Sequence, residues 1–492
     1  MNRRMVIFLL SRILAVEGLL MLPSFIVGLI YREAGIAALC FLPVIGVLLL
    51  FGLIGWKKPK NTAIYAREGF LTVAAAWVLM SLFGAVPFFL LGNVFPNAAG
   101  GEFVSFWDCL FEIASGLTTT GASILSAVEQ LPHCIIFWRS FSHWIGGMGV
   151  LVFILAVMPM GEERSMHLMR AEVPGPVVGK LVPRMRDTAK ILYGVYTAMT
   201  LLLAILLIAG GMPVFDALCN SFGVAGTGGF AIKNAGIAYY NSAYVDIVMA
   251  VFMLLFGVNF NLYYFILIGK AKDAFKSEEL HVYAVIVLSA IVLISINTYN
   301  AAIGAFDTFR NSLFQVASLI SSTGYGTVDF AHNWPVFSQT ILVSCMFIGA
   351  CAGSTGGGFK VSRVLICIKS GAAEIRHLLH PRAVQIVRLE GKPVDRSLQR
   401  STFGYLALYL TIFIASTLLL SLQPGTDFAT NFTAELACIN NIGPGLGLVG
   451  PMGNYAFYHP ALKMLLTFNM LTGRLELFPM IVLFSPMAWK KN

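Results

Sequence analysis

The sequence predicts an all-α polytopic membrane protein, and three observations carry that expectation. Of 492 residues, 58% are hydrophobic and only 12% are charged, about half the roughly 25% charged share of a soluble domain. Apolar runs of about 20 residues recur along the chain, the length that crosses a hydrocarbon core of about 30 Å as a helix. Four times, a shorter helical segment runs into a glycine-centred loop in the middle of hydrophobic sequence. These loops are Thr118-Thr119-Thr120-Gly121-Ala122, Ala225-Gly226-Thr227-Gly228-Gly229, Ser321-Ser322-Thr323-Gly324-Tyr325-Gly326 and Asn440-Asn441-Ile442-Gly443-Pro444-Gly445.

Spans are expected near 5–30, 36–56, 70–92, 136–160, 190–210, 243–269, 280–303, 335–369 (interrupted), 402–422 and 459–488. The run after Met1-Asn2-Arg3-Arg4 has no small-residue cleavage site and is taken as an uncleaved first span. Counting from an inner N-terminus puts both termini inside, with inner segments at 57–69, 161–189, 270–279 and 370–401. Most of the 33 Lys and Arg fall there, as the positive-inside rule requires. The net charge of +9 is therefore a topology signal, and nucleic acid is not an expected partner. The eight cysteines lie singly in or beside apolar segments. Cys109 and Cys134 could meet on the outer side, but free buried thiols are expected. Arg12 and Glu17, within the first span, are expected to face protein rather than lipid.

Between the spans lie four segments, about 103–117, 213–225, 307–322 and 427–440, each too short to cross as a helix. Each begins near an acid, Asp108, Asp216, Asp307 or Asp427, which complements a helix N-terminus. The stretch from Leu110 to Gly121 aligns without a gap on Leu313 to Gly324. The unit is span, half-helix, loop, span, repeated four times. The expected organisation is a two-span extension over 1–69 and four pseudo-symmetric repeats at 70–189, 190–279, 280–401 and 402–492, arranged around one central pore.

Lipid cannot satisfy irregular backbone, so loops at membrane depth must be buried in protein or line a wet cavity. Glycine allows φ > 0 and lets successive carbonyls point inward. The half-helices aim their partly negative C-termini at that cavity, which favours a cation. Rings of carbonyls replace the hydration shell of a monovalent cation in selectivity filters. The filter glycines align as Gly121, Gly228, Gly324 and Gly443. Thr119, Thr120, Thr227, Ser322, Thr323 and Ile442 supply the neighbouring ring atoms.

This plan resembles the Trk/Ktr/HKT superfamily of potassium transporters. His143-Trp144-Ile145-Gly146-Gly147-Met148-Gly149 is similar to that family's helix after the first pore loop. Gly349 to Lys360 resembles its intramembrane loop, and Gly473-Arg474-Leu475-Glu476 resembles its last helix. The two additional N-terminal spans look like the TrkH branch rather than the KtrB type. The resemblance implies a bacterial cytoplasmic (inner) membrane location, a homodimer, and a cytosolic TrkA-like nucleotide-binding subunit as partner. It also implies K+ as the transported ion at Thr120, Gly121, Thr227, Gly228, Thr323, Gly324, Ile442 and Gly443, with no cofactor bound by this chain. A glycine in all four columns fits the potassium-selective pattern, since sodium-preferring plant relatives carry serine in the first. Ile442 stands where the other three loops have threonine, and the second loop reads Gly-Thr-Gly-Gly, so the ring is not fourfold symmetric.

The second span of the third repeat breaks at Gly349–Gly358, where Gly349, Gly353, Gly356, Gly357 and Gly358 and a Ser-Thr pair cannot hold a helix. Arg474 lies at similar depth in the last span, and an intramembrane arginine is functional by default. The expected gate is this loop, with Arg474 facing the pore and hydrogen-bonding loop carbonyls. Glu476 is two residues from Arg474 and does not face it on a helix. Lys360 and Arg363 either couple the loop to a cytosolic partner or follow the positive-inside rule.

Two pattern matches fail on context. Gly445 to Gly450 matches a dinucleotide fingerprint but follows no strand, and Gly353 to Lys360 misplaces the lysine of a phosphate loop. No HExxH or paired metal spacing points to a membrane enzyme. Channel-like conduction and an ion-coupled (H+ or Na+) symporter both remain open, because broken helices also serve carriers.

Overall fold

The computed structural model describes residues 2–149, 185–302 and 304–489, apart from 56, 58 and 62–64. The distal part of the fourth expected span and the inner segment 161–189 up to residue 184 lie outside the described residues. The regular structure of the described chain is helical apart from one two-stranded hairpin, in which Arg388 pairs with Pro393 and Leu389 with Lys392. Among the described residues, six helices are long and apolar enough to span a bilayer: Arg3–Ile30, Ala34–Ile54, Arg67–Val94, Asp187–Ala209, Glu278–Thr298 and Arg396–Leu420. Their sidedness follows the helical period. On Glu278–Thr298, Val285, Leu288, Val292 and Ile296 are exposed, while Tyr283, Val287, Ile291 and Ile294 are buried. The outward stripe is apolar, as a lipid-facing surface requires.

The two N-terminal helices pack through small residues. A Cβ at Gly52 would sit 2.6 Å from Ala15 Cβ, and one at Gly28 would sit 2.5 Å from Ala37 Cβ, so the backbones approach as closely as small-residue pairs allow. Glu33, in the turn between them, caps the helix His133–Met148 by accepting from the backbone amides of His133 and Cys134. Glu17 is 1% exposed, facing protein. All eight cysteines are unbridged, and only Cys367 is not fully buried.

The four short segments form helices at Phe106–Leu117, Val214–Gly226, Ala305–Ile320 and Phe428–Ile439. At 12 residues, the first rises about 18 Å and ends inside the protein. From Cys109 to Leu117 every residue is buried. Asp427 is the N-cap of the fourth, accepting from the Thr430 amide.

The helices after the second and fourth loops are interrupted too, not only the one after the third as the sequence predicts. The expected span 243–269 is two helices, Ala243–Phe256 and Phe260–Leu267, bent by 93°. The expected span 459–488 stops at Arg474 and resumes at Phe478, across left-handed Glu476 and Leu477. The third runs Val336–Ile348, then a coil, then Val361–Leu379. His133–Met148 ends at Gly149 with φ +78°. Apolar composition continues through these breaks, which is why periodicity passes over them.

A ring of four loops and the coil beneath it

Each half-helix ends in the same Schellman turn. The residue in the left-handed position is Thr119, Thr227, Ser322 or Asn441, with φ between 55° and 59°. Its amide donates to a carbonyl three residues back, and the next amide donates five residues back. Thr120 donates to Ser115, Gly228 to Gly223, Thr323 to Ser318 and Ile442 to Ala437, all at 2.8 Å. Left-handed non-glycine residues cost roughly 1–3 kcal/mol each and persist only where the surroundings over-determine them. The turn directs the following backbone across the helix axis, toward the centre.

These bonds change the register expected for the second loop. Gly228 occupies the column of Thr120, Thr323 and Ile442. The glycine equivalent to Gly121, Gly324 and Gly443 is Gly229, and these four have φ of +79°, +88°, +99° and +67° for Gly121, Gly324, Gly443 and Gly229 respectively. Gly228 has no positive φ, and a Cβ there would meet the His143 ring 2.1 Å from Nδ1. The run Gly-Thr-Gly-Gly offers two glycines, and only the hydrogen-bond register separates them. The pre-glycine column therefore holds Thr120, Gly228, Thr323 and Ile442, with two departures from threonine instead of one.

The loops close a ring in chain order. A Cβ at Gly121 would lie 2.0 Å from Gly228 O, at Gly229 2.0 Å from Thr323 O, and at Gly324 2.0 Å from Ile442 O. At Gly443 it would lie 2.7 Å from Thr120 O, which completes the circuit. Each glycine is needed because the next repeat's carbonyl occupies the space of its side chain. Asn441 ties across the ring, donating to Thr120 Oγ1 at 3.0 Å and to Met470 O at 2.9 Å. A cavity of about 210 Å³, lined by Gly121, Gly229, Gly324 and Gly443, opens on one side.

Side chains behind the ring hold it. Arg139, 2% exposed, bonds Glu112 Oε1 through Nε at 2.6 Å, Ser123 Oγ at 3.1 Å and Ala231 O at 2.8 Å. Its guanidinium lies 3.5 Å from the Phe230 ring centroid. It thereby joins the first loop to the second. His143 bonds Gly116 O at 2.8 Å and accepts from the Phe230 amide at 3.2 Å. Tyr455 donates to Gly443 O at 2.6 Å. The sequence reading did not single out Arg139 or Glu112, although a charged residue inside an apolar segment is the available signal. Breaking a buried pair costs about 3–5 kcal/mol because the other charge stays behind. Arg139→Met is therefore expected to lower stability by that amount, read as a fall in the detergent-solubilised melting midpoint. An unchanged midpoint would remove the buttress role.

On the opposite side the coil 349–360 packs against the loops. The Gly357 amide donates to Ser322 Oγ at 2.5 Å. A Cβ at Gly357 would lie 2.0 Å from Asn440 O, and one at Gly356 2.8 Å from Ser321 O. Gly349, Gly353 and Gly358 have φ of +73°, +72° and +82°. Arg474, 5% exposed, donates to Thr355 O at 2.8 Å, Gly146 O at 2.5 Å and Gly147 O at 2.6 Å. It clamps the coil of the third repeat to the helix end of the first. Glu476 pairs with Arg363 instead, and Arg363 stacks on Tyr405 at 4.1 Å. Lys360 is buried and donates to Gly356 O. Both basic residues are thus tied into the coil and its exit helix, beyond any positive-inside bias.

Comparison with known proteins agrees along the whole length. The profile of TrkH, described as a cation transport protein, matches residues 41–491. The chain is 36% identical over 484 residues to the Trk system potassium uptake protein TrkH of Salmonella typhimurium, covering 96% of each chain. It is 34% identical to the Trk system potassium uptake protein TrkG of Escherichia coli, again over 96% of each. The crystal structure of the potassium transporter TrkH from Vibrio parahaemolyticus superposes with a TM-score of 0.86 at 32% identity, covering 100% of both chains. With its all-α multi-pass architecture, this chain belongs to the TrkH family of cation transport proteins.

Proposed function

We propose that the chain takes up potassium across the bacterial cytoplasmic membrane along the axis of the four-loop ring. Relatives named as Trk system potassium uptake proteins support the substrate. The single observation that carries the pathway is the closed circuit of glycines, each against the carbonyl of the next loop. In this reading the carbonyls of Thr120, Gly121, Gly228, Gly229, Thr323, Gly324, Ile442 and Gly443 take the place of water around the ion. Four half-helix C-termini, each worth about half a negative charge, draw the cation in. The chain divides into the extension 1–69 and repeats 70–189, 190–279, 280–401 and 402–492.

The coil 349–360 is the gate in this proposal. It lies against the ring, and Arg474, bonded to Thr355 O of the coil and to Gly146 O and Gly147 O, places a fixed positive charge near the ion path. The protein works as a homodimer, with both termini cytoplasmic, and a cytosolic TrkA-like nucleotide-binding subunit moves the gate.

The test is rubidium flux into liposomes carrying the purified chain under a potassium gradient, with sodium as competitor. Flux blocked by potassium and little by sodium is the expected result. Absence of flux even with a TrkA-like ring and nucleotide would sink the pore. A reversal potential that follows potassium at every pH fits conduction. One that moves with pH or sodium fits the ion-coupled symporter.

A further inference from the structure

One side chain reaches both ends of the coil 349–360 from the neighbouring helix Glu278–Thr298. Glu279 Oε1 accepts from the Ala352 amide at 2.8 Å, where the chain enters the coil, and from the Ser362 amide at 3.1 Å, just past its exit. Glu279 stands in the first turn of Glu278–Thr298 and is buried. The same oxygen bridges the two ends of the coil, beside the backbone bonds from Lys360 N to Ile348 O at 2.9 Å and from Val361 N to Ala350 O at 3.1 Å.

The helix that carries Glu279 is itself held by the cytosolic hairpin. Glu390, at the hairpin turn, accepts from Ser277 Oγ at 2.8 Å and from the amides of Glu279 at 3.1 Å and Glu278 at 3.0 Å. A carboxylate on these unpaired amides complements the helix N-terminus. Lys369, on the helix that leaves the coil, pairs with Glu278 and donates to Arg388 O at 2.8 Å. Between hairpin and coil lies a cavity of about 480 Å³, lined among others by Asn259, Glu279, Ala352, Ser362 and Glu390. It provides room for the coil base to move.

We propose that Glu279 is a positioning residue that sets the closed placement of the coil, and that Glu390 links it to the cytosolic hairpin. Displacing the hairpin loosens the helix N-terminus, swings Glu279 and removes its bonds from both ends of the coil. The inference rests on the coil being the gate.

The experiment measures rubidium flux without regulator in liposomes holding full-length wild type, Glu279→Ala, Glu279→Gln, Glu390→Ala and Arg474→Ala. Hydrogen exchange over 349–362 is followed in parallel. Losing one charge-assisted bond on the coil corresponds to about a tenfold change, so Glu279→Ala is expected to raise flux and coil exchange on that scale. Glu279→Gln keeps a neutral acceptor oxygen in place and is expected between wild type and Glu279→Ala, whereas a role through charge alone would make it match Glu279→Ala. Glu390→Ala, on the cytosolic surface, shows a smaller rise in the same direction. Glu279→Ala combined with Arg474→Ala is less than additive, because both act on one coil.

If Arg474→Ala raises flux while Glu279→Ala and Glu390→Ala leave flux and exchange unchanged, the positioning role is wrong and the gate stands. If none of the three raises flux, the gate reading falls and this inference with it. Should Glu279→Ala fail to fold, Glu390→Ala decides, and a wild-type value there overturns the proposal.

Discussion

Replacing Arg474 by alanine is expected to raise basal cation flux about a hundredfold in liposomes. Among the described residues the guanidinium donates to the backbone carbonyls of Thr355, Gly146 and Gly147. Bonds to charged groups are worth about 1.5–3 kcal/mol each, so the clamp on the coil is lost outright. The charge itself opposes a cation by about 3 kcal/mol at about 5 Å and an effective dielectric near 20, which is roughly a hundredfold. Arg474→Lys should restore little, since one ammonium cannot reproduce a planar fork across carbonyls of two repeats. The measurement is tracer rubidium influx at fixed protein density, with circular dichroism to confirm the fold. Basal flux equal to wild type in a folded Arg474→Ala protein would refute the barrier.

Gly121→Ser and Gly229→Ser are expected to abolish most of the preference for potassium over sodium. A Cβ at either position lies 2.0 Å from a carbonyl oxygen of the next loop, at φ of +79° and +67°. Side chains cannot be accommodated there without moving ring backbone, with strain of about 1–3 kcal/mol. Since about 1.4 kcal/mol is tenfold, selectivity should fall by about tenfold or more. Competition of sodium and potassium against rubidium uptake reads this directly. The second loop also tests the register. Gly228→Ala drives its methyl into the His143 ring, away from the neighbouring loop, so it should disturb the His143 bonds to Gly116 and Phe230. Equal selectivity in wild type and Gly229→Ser would restore Gly228 to the glycine column.

Much of the architecture was legible in local pattern. Half-helices stand out because they are short and followed by glycine, and the copies from Leu110 and Leu313 align without a gap. The glycine-dense break after Ile348 was legible for the same reason, and so was Arg474 as a charge in an apolar span. The breaks after Phe256 and Arg474 were not. The first is made by the Phe260 amide bonding Gly353 O and the Cys351 amide bonding Gly257 O, partners almost a hundred residues away. The second is made by left-handed Glu476 and Leu477, residue types that carry no helix-ending signal.

The sequence by itself determined the membrane class, the four repeats, the glycine loops and the gating candidates, because periodicity, run length and glycine content act within one turn or one span. Only the tertiary structure decided the loop register, the order of the ring, and the contacts of Arg139, Glu112 and Glu279. Those depend on one repeat's backbone meeting another's, as when Asn441 reaches Thr120 across 321 positions. Such contacts are set by packing in three dimensions, and the residues that make them have no periodic signature along the chain.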